Sequence, residues 1–238
     1  DGFKYAVLGT DRWTFDHGAA DPLEGWTSLD LTAQIGVFFR HMTRQKWVDE
    51  GNPIPGDTDM PVMHGVGFAL CGARTGQGDS LSWGGGAGYG DNFCQRLTSP
   101  TYNYDGSGAV DLNLWYFNDS EPGYDYTFIY AEAGASREDL TGGGFTGNVG
   151  YIDLNDGTII PNEFTHSITN SELGGGDYAR DFFVVVEFVS DGGWSDEDGG
   201  WDSYYGPIGV DDLTVSGSMA PDSAFYDFET GLQDWTPG

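Results

Sequence analysis

Basic residues are scarce in this chain of 238 residues: nine Lys and Arg stand against 38 Asp and Glu, a formal net charge of -29. A field of that sign repels nucleic acid and anionic lipid headgroups, so neither is an expected partner and cations are the natural counterparts. Long apolar runs are also missing. The most apolar stretch, FFVVVEFV at 182–189, is short and broken by Glu187, well under the ~18 residues of a spanning helix, so no membrane insertion is expected. The chain opens on DGFKYAVLGT, without the charged start and small-residue cleavage site of a secretory signal, and reads as a mature or trimmed product. Only two cysteines occur, Cys71 and Cys94. In an oxidising compartment they would close one disulfide and in a cytosol they would be buried thiols; the disulfide is the expectation.

Catalytic motifs are lacking too. His17, His41, His64 and His166 are scattered, with no H-E-x-x-H spacing to hold zinc and a base on one helical face. There is no G-x-S-x-G elbow, and GGGAGYGDN at 84–92 lacks the Lys-Ser/Thr and the helix of a phosphate cradle. Glu121 and Asp125 could in principle run glycoside hydrolysis, but a hairpin loop is a poor place to desolvate and tune them. No enzymatic activity is expected.

What is present is β-forming sequence. AVDLNLWYF at 109–117 alternates Val110, Leu112, Leu114 and Tyr116 with Asp111 and Asn113, as a strand with one wet face should. It leads through NDSEPG into YDYTFIYAE, which reads as a long hairpin. Further strands are expected near residue 5 and from residues 35, 64, 94, 149, 180 and 207, and a single helical turn at SREDL, 136–140. Many short strands with frequent turn signals indicate an all-β chain, an antiparallel β-sandwich or jelly roll.

The acids are mostly aspartate, set beside Gly, Asn and Ser in turns. Hard oxygen ligands on flexible turns suit calcium, whereas a general surplus of carboxylate would also serve solubility in a salty habitat. The densest group is FVSDGGWSDEDGGWDS at 188–203, with Asp191, Asp196, Glu197, Asp198 and Asp202 in one loop. Such charges repel unless water, salt or a bound cation screens them, so the loop is either solvated or a metal site built from Asp191, Asp196, Asp198 and Asp202. It is not an EF-hand, lacking both the D-x-D-x-D-G spacing and the twelfth-position Glu. In IGVDDLTV at 208–215, period two sends Ile208, Val210, Asp212 and Thr214 to one face and Gly209, Asp211, Leu213 and Val215 to the other, so Asp211 shares a face with Leu213 and Val215, and a carboxylate beside buried apolar residues needs a partner. With so few Lys and Arg, a metal is that partner.

The two ends of the chain echo one another. WTFDHGAADPLEGWTS lies near the start and YDFETGLQDWTPG at the end. Aligning Phe15 with Phe228 puts Asp16 on Glu229 and Gly18 on Gly231, and, across a four-residue gap, Leu23, Trp26 and Thr27 on Leu232, Trp235 and Thr236. The expected organisation is a lead-in at 1–12, one domain at 13–217, and at 218–238 a linker followed by the start of a second repeat or a docking strand. Left free, Phe225, Phe228, Leu232 and Trp235 would be an exposed apolar strand. The tail is therefore expected either to dock on a neighbouring subunit by adding a strand or to mark where the ordered part of a longer chain stops, with folding back onto the same domain as the alternative.

TFDHG with the following GW, the stretch LSWGGG through TFIYAE, FFVVVEFVSDGGWSDEDGG and GVDDLTVSG together resemble MAM-like jelly-roll modules of large secreted bacterial proteins. Such modules accompany immune-inhibitor-A-type metallopeptidases. The resemblance covers roughly 13–217. It implies two antiparallel sheets, an extracellular or cell-surface setting, and calcium where the first and last strands meet. In that pattern Asp16 matches the acid after the opening Phe, and Asp211 and Asp212 match the paired acids of the last strand. Three functions follow as expectations: a calcium-stabilised structural or assembly module partnered by copies of itself or neighbouring repeats; a carbohydrate-binding module offering Trp194, Trp201, Tyr204 and Tyr205 to a polysaccharide; or an accessory domain of a secreted hydrolase. Asn118, in an N-D-S sequon, is a candidate glycosylation site.

Overall fold

Val184, Val185, Val186 and Phe188 are completely buried, because the strand that carries them runs through the middle of a sheet and is covered on both faces. A computed structural model describes residues 4–5, 13–14, 39–43, 45–46, 63–72, 88–152, 159–201, 203 and 206–237. Every named element among them is a strand. In chain order the first nine are β1 (Lys4–Tyr5), β2 (Trp13–Thr14), β3 (Phe39–Thr43), β4 (Gly67–Cys71), β5 (Cys94–Thr98), β6 (Tyr102–Tyr104), β7 (Ala109–Asp119), β8 (Tyr126–Ala133) and β9 (Ser136–Asp139). The rest are β10 (Asn148–Val149), β11 (Tyr151–Ile152), β12 (Ile159–Ile160), β13 (Asn162–Thr169), β14 (Arg180–Val189), β15 (Ile208–Gly217), β16 (Met219–Ala220), β17 (Ser223–Tyr226) and β18 (Thr236–Pro237).

Two seven-stranded antiparallel sheets form the all-β sandwich. The first runs β10-β7-β15-β4-β3, with β13 also on β7 and β17 also on β15; the second runs β16-β6-β14-β5-β18, with β8 on β14 and β9 on β8. Leu112, Leu114 and Val215 from the first sheet meet Leu97, Ile129 and Val184 from the second in one buried cluster. The alternation in β7 does what its sequence promises, Val110, Leu112 and Leu114 turning inward while Asp111 stays exposed. The first sheet carries a second buried layer on its outer face. Met42, Phe68, Leu70 and Phe117 are fully buried there, with the Phe68 and Phe117 rings edge to face at 6.2 Å.

Several expectations change. The stretch 109–133 is not a hairpin: β7 belongs to the first sheet and β8 to the second, so NDSEPG carries the chain across the sandwich. SREDL is strand β9 rather than a helical turn, paired with β8 from Tyr130↔Asp139 to Ala133↔Ser136. Period two is broken in β15. The register shifts between Asp211 and Thr214 and Asp212 takes a left-handed φ of 44°, a bulge that reverses the phase. Ile208 and Val210 face the core before it and Leu213 and Val215 after it, so Asp211 does not share a face with Leu213. It lies on the outer face opposite Trp115, and is still fully buried.

The tail folds back on its own domain. Instead of a linker, β16 pairs with β6 and β17 with β15, and β18 then pairs with β5 of the other sheet. Phe228 and Trp235 are 0% and 3% exposed within the central cluster, their rings 6.0 Å apart. The disulfide is not formed. Cys71 points into the inter-sheet cluster, whereas Cys94 alternates with the buried Gln95 and Leu97 and so turns to the outer face of the other sheet. Side chains aimed in those directions cannot be bridged without moving the backbone.

Candidate functional site

The acidic loop after β14 is held by its own carboxylates. Asp196 accepts the Tyr89 N–H at 2.8 Å, the Ser203 N–H at 2.9 Å and the Ser203 hydroxyl at 2.7 Å. Glu197 accepts the Asp91 N–H, and the Ser195 hydroxyl donates to Asp91. Asp198 accepts N–H bonds from Trp194 and Gly200, which hold its pKa below the usual carboxylate range. Burial pushes Asp196 the other way, up to about 7, against the hydrogen bonds it accepts. Three of the loop's acids are thus explained as backbone acceptors: Asp196 and Glu197 clamp the loop onto Tyr89 and Asp91, and Asp198 closes the turn from Trp194 to Gly200.

Asp191 likewise caps the loop, accepting the Gly193 N–H at 3.1 Å, but it also meets acids from elsewhere in the chain. Its N–H donates to Asp125 at 2.9 Å, and one carboxylate oxygen from each of Glu121, Asp125 and Asp191 lies within 4.8 Å of the others. Asp125 comes from the crossing segment between β7 and β8 and is fully buried, taking the Tyr89 hydroxyl at 2.7 Å on its second oxygen. Burial raises its pKa, opposed by the Tyr89 and Asp191 hydrogen bonds. Glu121 is also raised, by burial first and then by the charges of Asp125, Asp191 and Asp198, all acidic. Each carboxylate oxygen keeps lone pairs beyond the bonds named. An ion ~2.4 Å from each oxygen spans separations of up to about 4.8 Å, so the trio fits a hard cation such as calcium and would supply part of its six to eight oxygens.

Beside the trio opens a cavity of about 750 Å³ lined by Glu121, Tyr124, Asp191, Gly192, Gly193 and Trp194. Tyr124 is 62% and Trp194 64% exposed. The Trp194 backbone has φ 61°, uncommon for a bulky residue, and is fixed there by the bond to Asp198.

A second group of acids surrounds Asp211. Its two oxygens accept the N–H groups of His64 at 3.1 Å and Asp212 at 2.9 Å, and burial drives its pKa up to about 8, with Asp212 and Glu229 adding like charge. Asp212 pairs with His64 Nδ1 at 2.8 Å, and the His64 ring stands edge-on to Trp115 at 5.2 Å. Glu229 takes the Val66 N–H on both oxygens, at 3.0 and 2.8 Å. Gly65, at φ 59°, gives it room, since a Cβ there would fall 1.6 Å from Glu229 Oε1. Glu229 is the residue that the echo aligns with Asp16, and its charge acts on Asp211, beside which the resemblance to MAM-like modules implies Asp16.

Of the predicted site residues, Asp16, Asp202, Tyr204 and Tyr205 lie outside the described residues. Asp196 and Asp198 do not join Asp191. Trp201, half-buried, packs against the core cluster and donates its indole N–H to Asp119, and it does not line the cavity beside Trp194. Asn118 is fully buried. Its amide donates to Ser120 and Gly147 and accepts the Thr127 hydroxyl, so it is a structural hub of the crossing and the glycosylation expectation is withdrawn. Sequence reasoning missed Tyr124, and weighed Glu121 and Asp125 only as a hydrolytic pair. Their link to Asp191, more than sixty residues on, has no local signal.

No protein family matches the chain, and no curated protein matches it. The likeness to MAM-like modules therefore rests on the quoted motifs. Among the described residues, no helix is long and apolar enough to cross a membrane.

Proposed function

We propose that the chain is a non-catalytic, calcium-stabilised jelly-roll module with a structural role outside the cell, partnered by copies of itself or neighbouring repeats. The observation that carries the reading is the trio Glu121, Asp125 and Asp191: three converging carboxylates, one of them fully buried, gathered by segments distant in sequence. The charges acting on Glu121 are all acidic. Carboxylates so placed cost free energy unless protonated or bound to a cation, and an oxygen-only donor set in a chain of this charge favours calcium over softer metals. The ion would tie the crossing between the sheets to the loop after β14. Asp211, fully buried, with the half-buried Asp212 and Glu229 adding like charge beside it, supports the same reading at a second place. Because the tail is seated on its own domain, contacts between copies would use other surfaces.

The test is thermal unfolding in calcium and in excess chelator. A ligand held only by the folded state at a hundredfold its dissociation constant adds about 2.7 kcal/mol, or about 5–10 °C for a chain of this size. Asp125→Asn should abolish that increment. Superimposable wild-type melting curves with calcium and with chelator would refute the calcium reading. Negative-stain images of native material showing only isolated particles would refute the assembly role.

A further inference from the structure

We infer that the cavity between Tyr124 and Trp194 is a binding site for a neutral polysaccharide. The inference goes beyond the structural role; the cavity shares Glu121 and Asp191 with the proposed ion site, and it is tested by sugar binding rather than by melting. Two large aromatic side chains, both more than half exposed, border a concavity of about 750 Å³, within the size range of ligand pockets. Exposing a Trp and a Tyr together forgoes apolar burial. Holding Trp194 at φ 61° adds strain, of a kind that gathers at ligand sites where the surroundings enforce it. Here they do: Asp198 accepts the N–H groups of Trp194 and Gly200 at 2.9 Å each, so the turn presents the indole outward rather than letting it pack.

The lining selects the ligand's chemistry. Glu121 and Asp191 bring hydrogen-bond acceptors, the two rings bring flat apolar faces, and none of the six lining residues is cationic. Even with a divalent cation on the trio the three carboxylates leave the place net negative, so phosphates, sulfated glycans and uronic acids are disfavoured, the more so given the net charge of -29. A neutral pyranose matches both features, because its hydroxyls donate to carboxylates while the C–H face of the ring lies on an indole or phenol. Aromatic rings with carboxylates also suit an organic cation. The cavity is wide and open rather than a close cage around one ammonium group, which favours the sugar.

The test titrates the full chain, in calcium-containing buffer, with cellohexaose, xylohexaose and chitohexaose, followed by calorimetry and tryptophan fluorescence. At least one should bind saturably, with affinity unchanged between low and high salt. Trp194→Ala and Tyr124→Ala should each weaken binding roughly tenfold or more at unaltered melting temperature, and Trp194→Phe should restore part of the loss. The inference is overturned if none of the three sugars binds, if binding survives Trp194→Ala, or if spermidine occupies the site in a salt-sensitive manner and the sugars do not. Calcium-dependent melting is read separately, so a failure here leaves the structural proposal standing, and the reverse.

Discussion

Replacing Asp211 by Asn should stabilise the metal-free protein at neutral pH. The side chain is fully buried on β15 and burial lifts its pKa from 3.8 to about 8. In the unfolded chain it ionises near the ordinary value of about 3.9. The folded pKa lies above the unfolded one, so below pH ~4 both states hold the proton and nothing is lost. As pH rises from about 4 to about 8 the unfolded state gains ionisation free energy that the folded state forgoes, and stability falls. At pH 7 the interval is about three pKa units, or about 4 kcal/mol. An Asn has no such penalty. It keeps one acceptor oxygen, whereas Asp211 accepts N–H groups on both, so the change forfeits one hydrogen bond worth about 1 kcal/mol. The net gain of about 3 kcal/mol corresponds to roughly 6–12 °C in melting temperature. The assay is calorimetry of both proteins in chelator at pH 4, 5.5, 7 and 8. Asp196, pushed up to about 7, contributes its own slope to both proteins, so the difference between them is the quantity to read. It should be near zero or slightly unfavourable to the variant at pH 4 and grow steadily to pH 8. A variant that melts below the wild type at pH 7 and 8 would refute the reasoning.

Trp235→Ala should cost about 3–5 kcal/mol, because the ring is buried in the central cluster. Deleting residues 222–238 should do more, giving a chain that fails to melt cooperatively or binds a hydrophobic dye when native. Intact mass of the unreduced protein should correspond to two thiols, and reductant should not shift the melting temperature. Under mild alkylation Cys94, half-buried, should react before Cys71, which is buried with its thiol pKa strongly raised by desolvation. Native material should carry no glycan on Asn118, and Asn118→Ala should destabilise the fold by a few kcal/mol through the unpaired Thr127 hydroxyl and Gly147 carbonyl it leaves.

The strands that could be read in advance are those whose side chains report their surroundings in the order the pleat demands. β7 shows one wet face, and the apolar run of β14 shows a strand covered on both. β13 escaped notice because Asn162–Thr169 pairs with β7 on an exposed edge, with Ile168 as its buried residue, so its sequence carries almost no hydrophobic period. The Asp211–Asp212 bulge left a trace that strict period two misreads. The apolar positions pass from Ile208 and Val210 to Leu213 and Val215, which an unbroken strand would put on opposite faces, and the backbone turn at Asp212 brings all four onto one core. The five acids of the 188–203 loop were visible as a group, but their roles were not. Whether a carboxylate caps an N–H or faces another carboxylate depends on what the crossing segment brings up against it, and Asp125 arrives there through the fold. The echo between the chain ends was legible as a motif; which groove its second copy would fill was not.

The tail has a mechanical consequence. β17 lies on one sheet and β18 on the other, so residues 223–237 form a strap across the end of the sandwich. A pull applied at Pro237 loads the two-residue pairing of β18 with β5 first, a patch with too few rungs to share much force. The load then passes to the buried Trp235 and Phe228 rings and next to the four pairs of β17 with β15. Only after these let go does tension reach the long strands. Stretched from this end, the protein should lengthen by on the order of 50 Å as the strap peels away, before the two sheets part. The strap would act as a fuse, yielding at low force and re-seating when the tension drops.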